Sequence, residues 1–219
     1  MPRNPFDLAF DKLPASLPIF PLPGAIVMPG AQLPLNIFEP RYLNMVGDAL
    51  GGDRLIGMVQ PDAKATGRPG DLVCRTGTAG RITAFSETDD GRFLIRLTGL
   101  CRFDLLAEVP TTRGYRRVAA RWERFACDYD DDARITDRHG LLGRVRRYAA
   151  ARGIDIDWQA IGGMPDGLLA NLLVTSLPLE PSDKQALVET VELDDRARLL
   201  GGLLDLAQEA PARSPPRSH

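Results

Sequence analysis

Six prolines fall between Leu17 and Pro40, in the stretch LPIFPLPGAIVMPGAQLPLNIFEP. Proline lacks the backbone N–H and clashes with the preceding turn, so no helix can run through this stretch. Most of the residues between the prolines are apolar, which calls for extended chain against a core. Proline cannot donate to a strand ladder, so Pro18, Pro21 and Pro23 suit an edge strand or extended segment better than a central strand. Residues 25–28 form a short apolar run ended by the Pro29-Gly30 turn signal, and residues 32–38 read as a further strand.

At Pro40 the pattern changes. Proline fits the first position of a helix, Glu39 favours the helix dipole, and Gly51-Gly52 stop it, which predicts a helix over Pro40–Leu50. Leu43, Val46 and Leu50 share one face of it. Leu55–Val59 reads as a strand, and residues 61–71 as a polar loop. Between residues 72 and 109 the β signal is strongest. Residues 82–85 and 93–97 flank Asp89-Asp90-Gly91 as a hairpin, residues 100–109 continue the meander, and residues 115–125 form a last strand.

Beyond the acidic turn at 128–132 the period becomes helical, over 133–152, 157–161 and 166–177. Ser182 and Gln185 fit a capping box opening a helix to about Thr190. Asp194 or Asp195 caps a final helix to about Gln208, with Leu199, Leu203 and Leu206 on one side. The expected organisation is a lead-in over 1–15, a β subdomain over 16–126, a helical subdomain over 127–209 and a disordered tail over 210–219. The fold class is α+β.

Charge is uneven along a chain whose net charge is −2. Residues 113–152 carry a net of +5 and residues 153–219 a net of −6. Three widely spaced cysteines without a CxxC argue against a disulfide framework and fit a reducing, cytoplasmic setting. No segment is apolar and long enough for a signal peptide or membrane span.

Catalytic chemistry has little to work with. The two histidines, His139 and His219, leave no His-rich or Cys/His metal site. None of the three lysines, Lys12, Lys64 and Lys184, follows a glycine, so there is no P-loop. Neither a GxSxG elbow nor a strand-linked GxGxxG is present. Ser182 and Lys184 are explained better by the capping box than as a Ser–Lys dyad. The expectation is no catalytic residue, no metal and no cofactor.

The ordered motifs Leu17-Pro18, Phe20-Pro21-Leu22, Pro29-Gly30, Leu33-Pro34-Leu35 and Ile37-Phe38-Glu39-Pro40-Arg41-Tyr42 resemble the N-terminal, substrate-binding domain of Lon proteases, in particular its stand-alone bacterial versions. Ile56-Gly57-Met58-Val59, Gly77-Thr78-Ala79-Gly80-Arg81-Ile82, Asp90-Gly91-Arg92-Phe93 and Gly99-Leu100-Cys101-Arg102-Phe103 continue the likeness. Leu169-Ala170-Asn171, Ser176-Leu177-Pro178-Leu179 and Lys184-Gln185 extend it to about residue 208.

The resemblance implies a PUA-like pseudo-β-barrel followed by a helical bundle, and binding of unfolded or apolar polypeptide segments, as in a quality-control adaptor. It also implies that the ATPase and Ser–Lys protease of full-length Lon lie beyond this chain, which is therefore expected not to be an enzyme. By family position, Phe20, Met28, Phe38, Arg41 and Tyr42 are the candidate peptide-binding residues. The alternative is RNA binding by the basic block from Arg113 to Arg152, with Arg117, Arg121 and Arg124 as its candidates.

Overall fold

The computed structural model describes residues 8–62 and 72–209. The expectations for residues 1–7, for most of the 61–71 loop and for the 210–219 tail lie outside the described residues. The sheet contains β1 (Ser16–Pro21), β2 (Gln32–Ile37), β3 (Leu55–Val59), β4 (Thr76–Glu87), β5 (Phe93–Val109) and β6 (Arg116–Arg121). Its order is β2-β5-β4-β3-β1-β6, and β6 also pairs with β5. Five strands thus close on themselves, while β2 extends the sheet beside the first half of β5.

The opening prolines are not at an edge. β1 lies between β3, which it pairs in parallel, and β6, which it pairs antiparallel. The two pairings are staggered: β6 takes Ser16 to Ile19 and β3 takes Ile19 to Pro21. The bonds from Ala120 N to Ala15 O (3.0 Å) and from Leu22 N to Val59 O (3.1 Å) turn odd residues of β1 towards β6 and even ones towards β3. Pro18 therefore faces β3 before that pairing begins, and Pro21 faces β6 after that pairing has ended. Neither missing N–H costs a ladder bond.

Phe103, wholly buried, fills the interior of the closed sheet with Leu17, Ile19, Leu55, Val59 and Val118. Its ring tip takes the space a side chain at Gly57 would need: a Cβ there would come within 2.8 Å of it. The lead-in is docked from Leu8 onward. Leu8, Phe10 and Leu13 pack on this core, Tyr129 donates to Leu8 O and the Trp122 indole N–H to Pro14 O.

Helix α1 (Pro40–Leu50) has the expected bounds, with Pro40 in its first turn and Gly51 following its end. It buries Tyr42, Met45, Val46 and Ala49 against the sheet, a stripe rotated from the expected one. Residues 25–28 form no strand. They cross the sheet as a strap, with Ile26 and Met28 turned to the helices and Val27 to the sheet. The strap passes so close over β5 that a Cβ on Gly99 would stand 2.1 Å from Met28 O.

Two strand expectations change. β5 is one 17-residue strand that serves two parts of the sheet, not two strands of a meander. β6 stops at Arg121, where a 3-10 segment (Glu123–Tyr129) begins. The helices that follow are α2 (Arg138–Arg152), α3 (Trp158–Gly162), α4 (Asp166–Ser176), α5 (Pro181–Glu189) and α6 (Leu193–Glu209). α2 starts later than its periodicity suggested because Asp137 caps it, accepting from Gly140 N. Leu193, Ala197, Leu200 and Leu204 form the buried side of α6, leaving Leu206 exposed.

The Ser182 capping box does not form. Glu180 precedes α5 and Pro181 opens it, which shifts the helix start by two residues. Gln185 is thereby free to bind across the molecule: its side-chain nitrogen donates to Thr76 O at 3.1 Å, and its oxygen accepts from Gln60 at 3.2 Å. Gln60 also donates to Pro181 O and accepts from Gly24 N. Asn171 of α4 donates to Pro29 O, and Met28 N donates to Thr175 Oγ1, so the strap is held on its helical side as well.

The centre of this seam is Arg102 of β5, completely buried. Its Nε and one Nη donate to Asp128, and its remaining N–H groups go to the carbonyls of Val188, Thr190 and Val191. All five donors of the guanidinium are used. The carbonyls belong to the end of α5 and the residues after it, where oxygens lack intrahelical partners and attract a cation. Asp128 thus stands apart from the exposed remainder of the acidic turn; its side chain is 2% exposed. Arg196 lies nearby, and burial, together with the Arg102 charge, pulls its pKa down to about 10.

Candidate functional site

Beyond the strap, β2, the first half of β5 and the second half of β4 project as a three-stranded tip. Among the described residues β2 pairs only with β5, so its other edge is open. Gly99 N donates to Ala31 O at 2.9 Å, in register with the β2–β5 ladder. Odd residues of β2 therefore bond to β5, and Gln32, Pro34 and Asn36 direct their backbone groups outward. Pro34 costs the ladder nothing and removes the central donor from the free edge, which hinders a whole strand from adding there.

The faces beside that edge carry exposed apolar groups. Phe38, the first residue after β2, is 64% exposed, Leu94 is 44% and Phe85 is 43%. Phe85 meets Phe93 edge to face at 5.0 Å, and Leu33 and Leu35 lie half-buried on the same side of the sheet. The hairpin that carries them is held at its turn. Thr88 N donates to Arg92 O and Gly91 N to Thr88 O. The Arg92 guanidinium, then the Thr88 hydroxyl, hold Asp90 down at a pKa of about 2. A pre-ordered, apolar surface of this kind suits association with another chain more than chemistry.

The candidate peptide-binding residues separate on burial. Met28 is wholly inside, in the helical core, and Phe20 and Tyr42 stack at 4.3 Å in the sheet core. These three are packing residues, because the apolar, proline-rich context that singles them out marks the strap and the α1 contact. Phe38 and Arg41 are on the surface, with Arg41 held by Glu39 (2.8 Å) and lying over the Tyr42 ring. Sequence reasoning missed Phe85 and Leu94. Their strands were expected, but a hairpin extending past its covering helices has no local signature.

Every arginine from 113 to 152 has a partner in the chain. Arg117 donates to Ser16, and Arg121 and Arg124 both face Asp104. Arg113 meets Asp48, Arg116 meets Glu108, Arg134 meets Asp132 and Arg138 meets Asp166. Arg144 and Arg147 reach Asp205 of α6, while Arg146 and Arg152 lie over Trp158 and Tyr148. Three of these arginines, Arg138, Arg144 and Arg147, are answered by carboxylates of the acidic C-terminal block.

Among the described residues no group of three or more His, Cys, Asp or Glu side chains could hold a metal ion, and no helix is long and apolar enough to cross a membrane. A small polar cleft of about 110 Å³ lies between α1 and the start of β1, lined by Asp48, Asp53, Ser16 and Arg117 among others. Arg117 is already bonded to Ser16 there.

The family model of the ATP-dependent protease La (LON) substrate-binding domain matches residues 16–205. Lon protease of Desulfosudis oleivorans is 24% identical over 198 residues, covering 86% of this chain and 23% of that protein. Lon protease of Anaeromyxobacter dehalogenans is 26% identical over 207 residues, covering 91% of this chain and 24% of that protein. The chain spans about a quarter of the length of these curated relatives. A Lon N-terminal domain protein from Xanthomonas campestris superposes with a TM-score of 0.61 at 26% identity, over 90% of this chain and 99% of that one. The N-terminal domain of a Mycobacterium avium complex Lon protease gives the same TM-score at 18% identity, over 87% of this chain and 98% of that one, a likeness of fold.

Proposed function

The chain belongs to the ATP-dependent protease La (LON) substrate-binding domain family, and we propose on that premise that it is a non-catalytic polypeptide-recognition module. Its fold is read as a PUA-like pseudo-barrel carrying a C-terminal helical bundle, and its setting as the cytoplasm. Its ligands are unfolded or apolar segments of other proteins, and its role is that of a quality-control adaptor. The surface that takes them is the projecting tip of β2, β5 and β4.

The observation that carries this reading is the exposure of Phe38, Leu94 and Phe85 together on a turn-locked sheet tip. An aromatic or aliphatic group is costly to leave in water, at roughly 25 cal/mol per Å² of apolar surface. Covering such groups, Leu94 on one face of the tip or Phe85 on the other, supplies a real driving force, and the ordered hairpin limits the entropy lost on binding. RNA binding loses support because two of its three candidate arginines, Arg121 and Arg124, already face Asp104.

A reduced and alkylated model protein, which cannot fold, is the direct probe. Titrated against the 219-residue chain, it should bind saturably at micromolar concentration. The variant Phe38→Ser/Phe85→Ser/Leu94→Ser should lose most of that binding while keeping its thermal midpoint. Absent binding, or binding that the triple variant retains in full, would sink the proposal.

A further inference from the structure

The outer face of the projecting tip has an unusual charge pattern. Register places Gln32, Pro34 and Asn36 of β2 on it, together with Leu94, Arg96 and Thr98 of β5. Thr83, Ala84 and Ser86 of β4 complete the face: Ala84 stands opposite Arg96, Ser86 opposite Leu94, and the Thr83 and Thr98 hydroxyls bond to each other at 3.0 Å. Arg96 shares this face with one other charged residue, Arg81 opposite Thr98, and with no carboxylate. The Arg96 side chain is exposed and makes no hydrogen bond or ion pair among the described residues.

Arg41 and Arg92, at the borders of the same tip, are each bound to a carboxylate. A guanidinium with no partner among the described residues, on a face without a carboxylate and beside exposed Leu94, is a complementary half-site for a carboxylate next to an apolar group.

We propose that the outer face of the tip selects extended segments with an apolar side chain and an Asp or Glu two residues apart. This inference rests on the polypeptide-binding reading and specifies its ligand. Leu94 and Arg96 are two residues apart on one face of a strand, so their side chains rise roughly 6.6–6.8 Å apart. An extended peptide laid alongside presents its own alternate side chains at that same spacing. The apolar group covers Leu94 with help from Phe38, and the carboxylate meets Arg96. Pro34 keeps the segment from zipping onto the β2 edge as a full strand, so side chains and not a backbone ladder set the preference.

Fluorescence anisotropy with three labelled peptides of one length tests this. Their central residues read Leu-Ser-Glu, Leu-Ser-Gln and Leu-Ser-Lys. The intact chain should prefer the Glu peptide over the Gln peptide by about threefold, the scale of an exposed ion pair. Arg96→Lys should keep that order, Arg96→Gln should abolish it, and Arg96→Glu should favour the Lys peptide. Added salt should narrow the differences.

Binding of all three peptides with no order, or an order indifferent to Arg96, overturns the acidic preference and leaves the recognition reading intact. No binding of any peptide, combined with no binding of the unfolded model protein, overturns both.

Discussion

Strand β5 passes through two regions that treat the same residue type in opposite ways. Six residues separate Arg96 from Arg102. Arg102 sits in the seam between sheet and helices with every donor used, whereas Arg96 stands on the tip with none. The seam is dense with long-range bonds: Gln60, Asn171 and Gln185 each reach across it. The exposed side chains of the tip, by contrast, bond only locally, at the hairpin turn and between Thr83 and Thr98. One region holds the fold together, and the other is left for something else to touch.

Removing the seam's centre should have the largest effect. Arg102→Met leaves Asp128 buried without its cation and frees three carbonyls that the guanidinium had held. Breaking a buried pair by deleting one partner costs about 3–5 kcal/mol, which urea unfolding would show as a large drop in midpoint. The double variant Arg102→Met/Asp128→Leu should recover part of the loss, since the unpaired buried charge is then gone. Equal stability of the single and double variants would show that the carbonyl contacts, and not the ion pair, dominate.

Gly99 tests the strap that links the two regions. Alanine there would place Cβ 2.1 Å from Met28 O and 2.6 Å from its carbonyl carbon. Both are backbone atoms, so no rotamer change relieves the clash. Gly99→Ala should cost about 3 kcal/mol, at the upper end for overpacking. A change under about 1 kcal/mol would mean that the strap can lift off β5 at little cost.

The same contrast governs what could be read from sequence. α1 and β3 were legible to the residue because their stop and start signals, Pro40, Gly51 and the run Leu55–Val59, are local. β1 was read as an edge strand or extended segment and not as the inner strand it is, since the rule about proline holds per hydrogen bond and the stagger of its two neighbours is set elsewhere. Asp128 looked solvated because its partner is 26 residues away in sequence, with no spacing to betray it. Ser182 matched a capping box that Pro181 pre-empts. The family likeness was legible in the motifs, yet much of what they contain is seam and core: Phe20 and Arg102 are buried packing residues. Of the tip's three large exposed apolar residues only Phe38 belongs to a motif, which is why Leu94 and Phe85 went unnoticed.

Lys184 offers a titratable probe of the seam. It is buried on α5 and donates to Thr175 O at the end of α4, with burial lowering its pKa from 10.5. The unfolded chain then binds more protons than the native one between the lowered value and 10.5, so this group's contribution rises with pH across that window. Measured from pH 7 upward, the stability of the native chain relative to Lys184→Met should climb towards pH 10.5. Using the difference cancels the opposing effect of Cys127 and the buried tyrosines, whose raised values act in the other direction. A flat difference would place Lys184 in water more than its position implies.

The smallest effect on stability is expected where the functional effect is greatest. Arg96→Ala removes no hydrogen bond, ion pair or buried surface, so its unfolding midpoint should stay within about 0.5 kcal/mol of the native chain, as for other exposed sites free of such features. Set beside Arg102→Met, it compares two arginines of one strand that differ in little but surroundings. A loss above about 1 kcal/mol at Arg96 would mean that the tip uses this side chain internally, and its outer face could not then be treated as a free half-site. Unchanged stability with altered peptide preference would separate the two regions cleanly, because a residue that the fold does not need would be one that the ligand does.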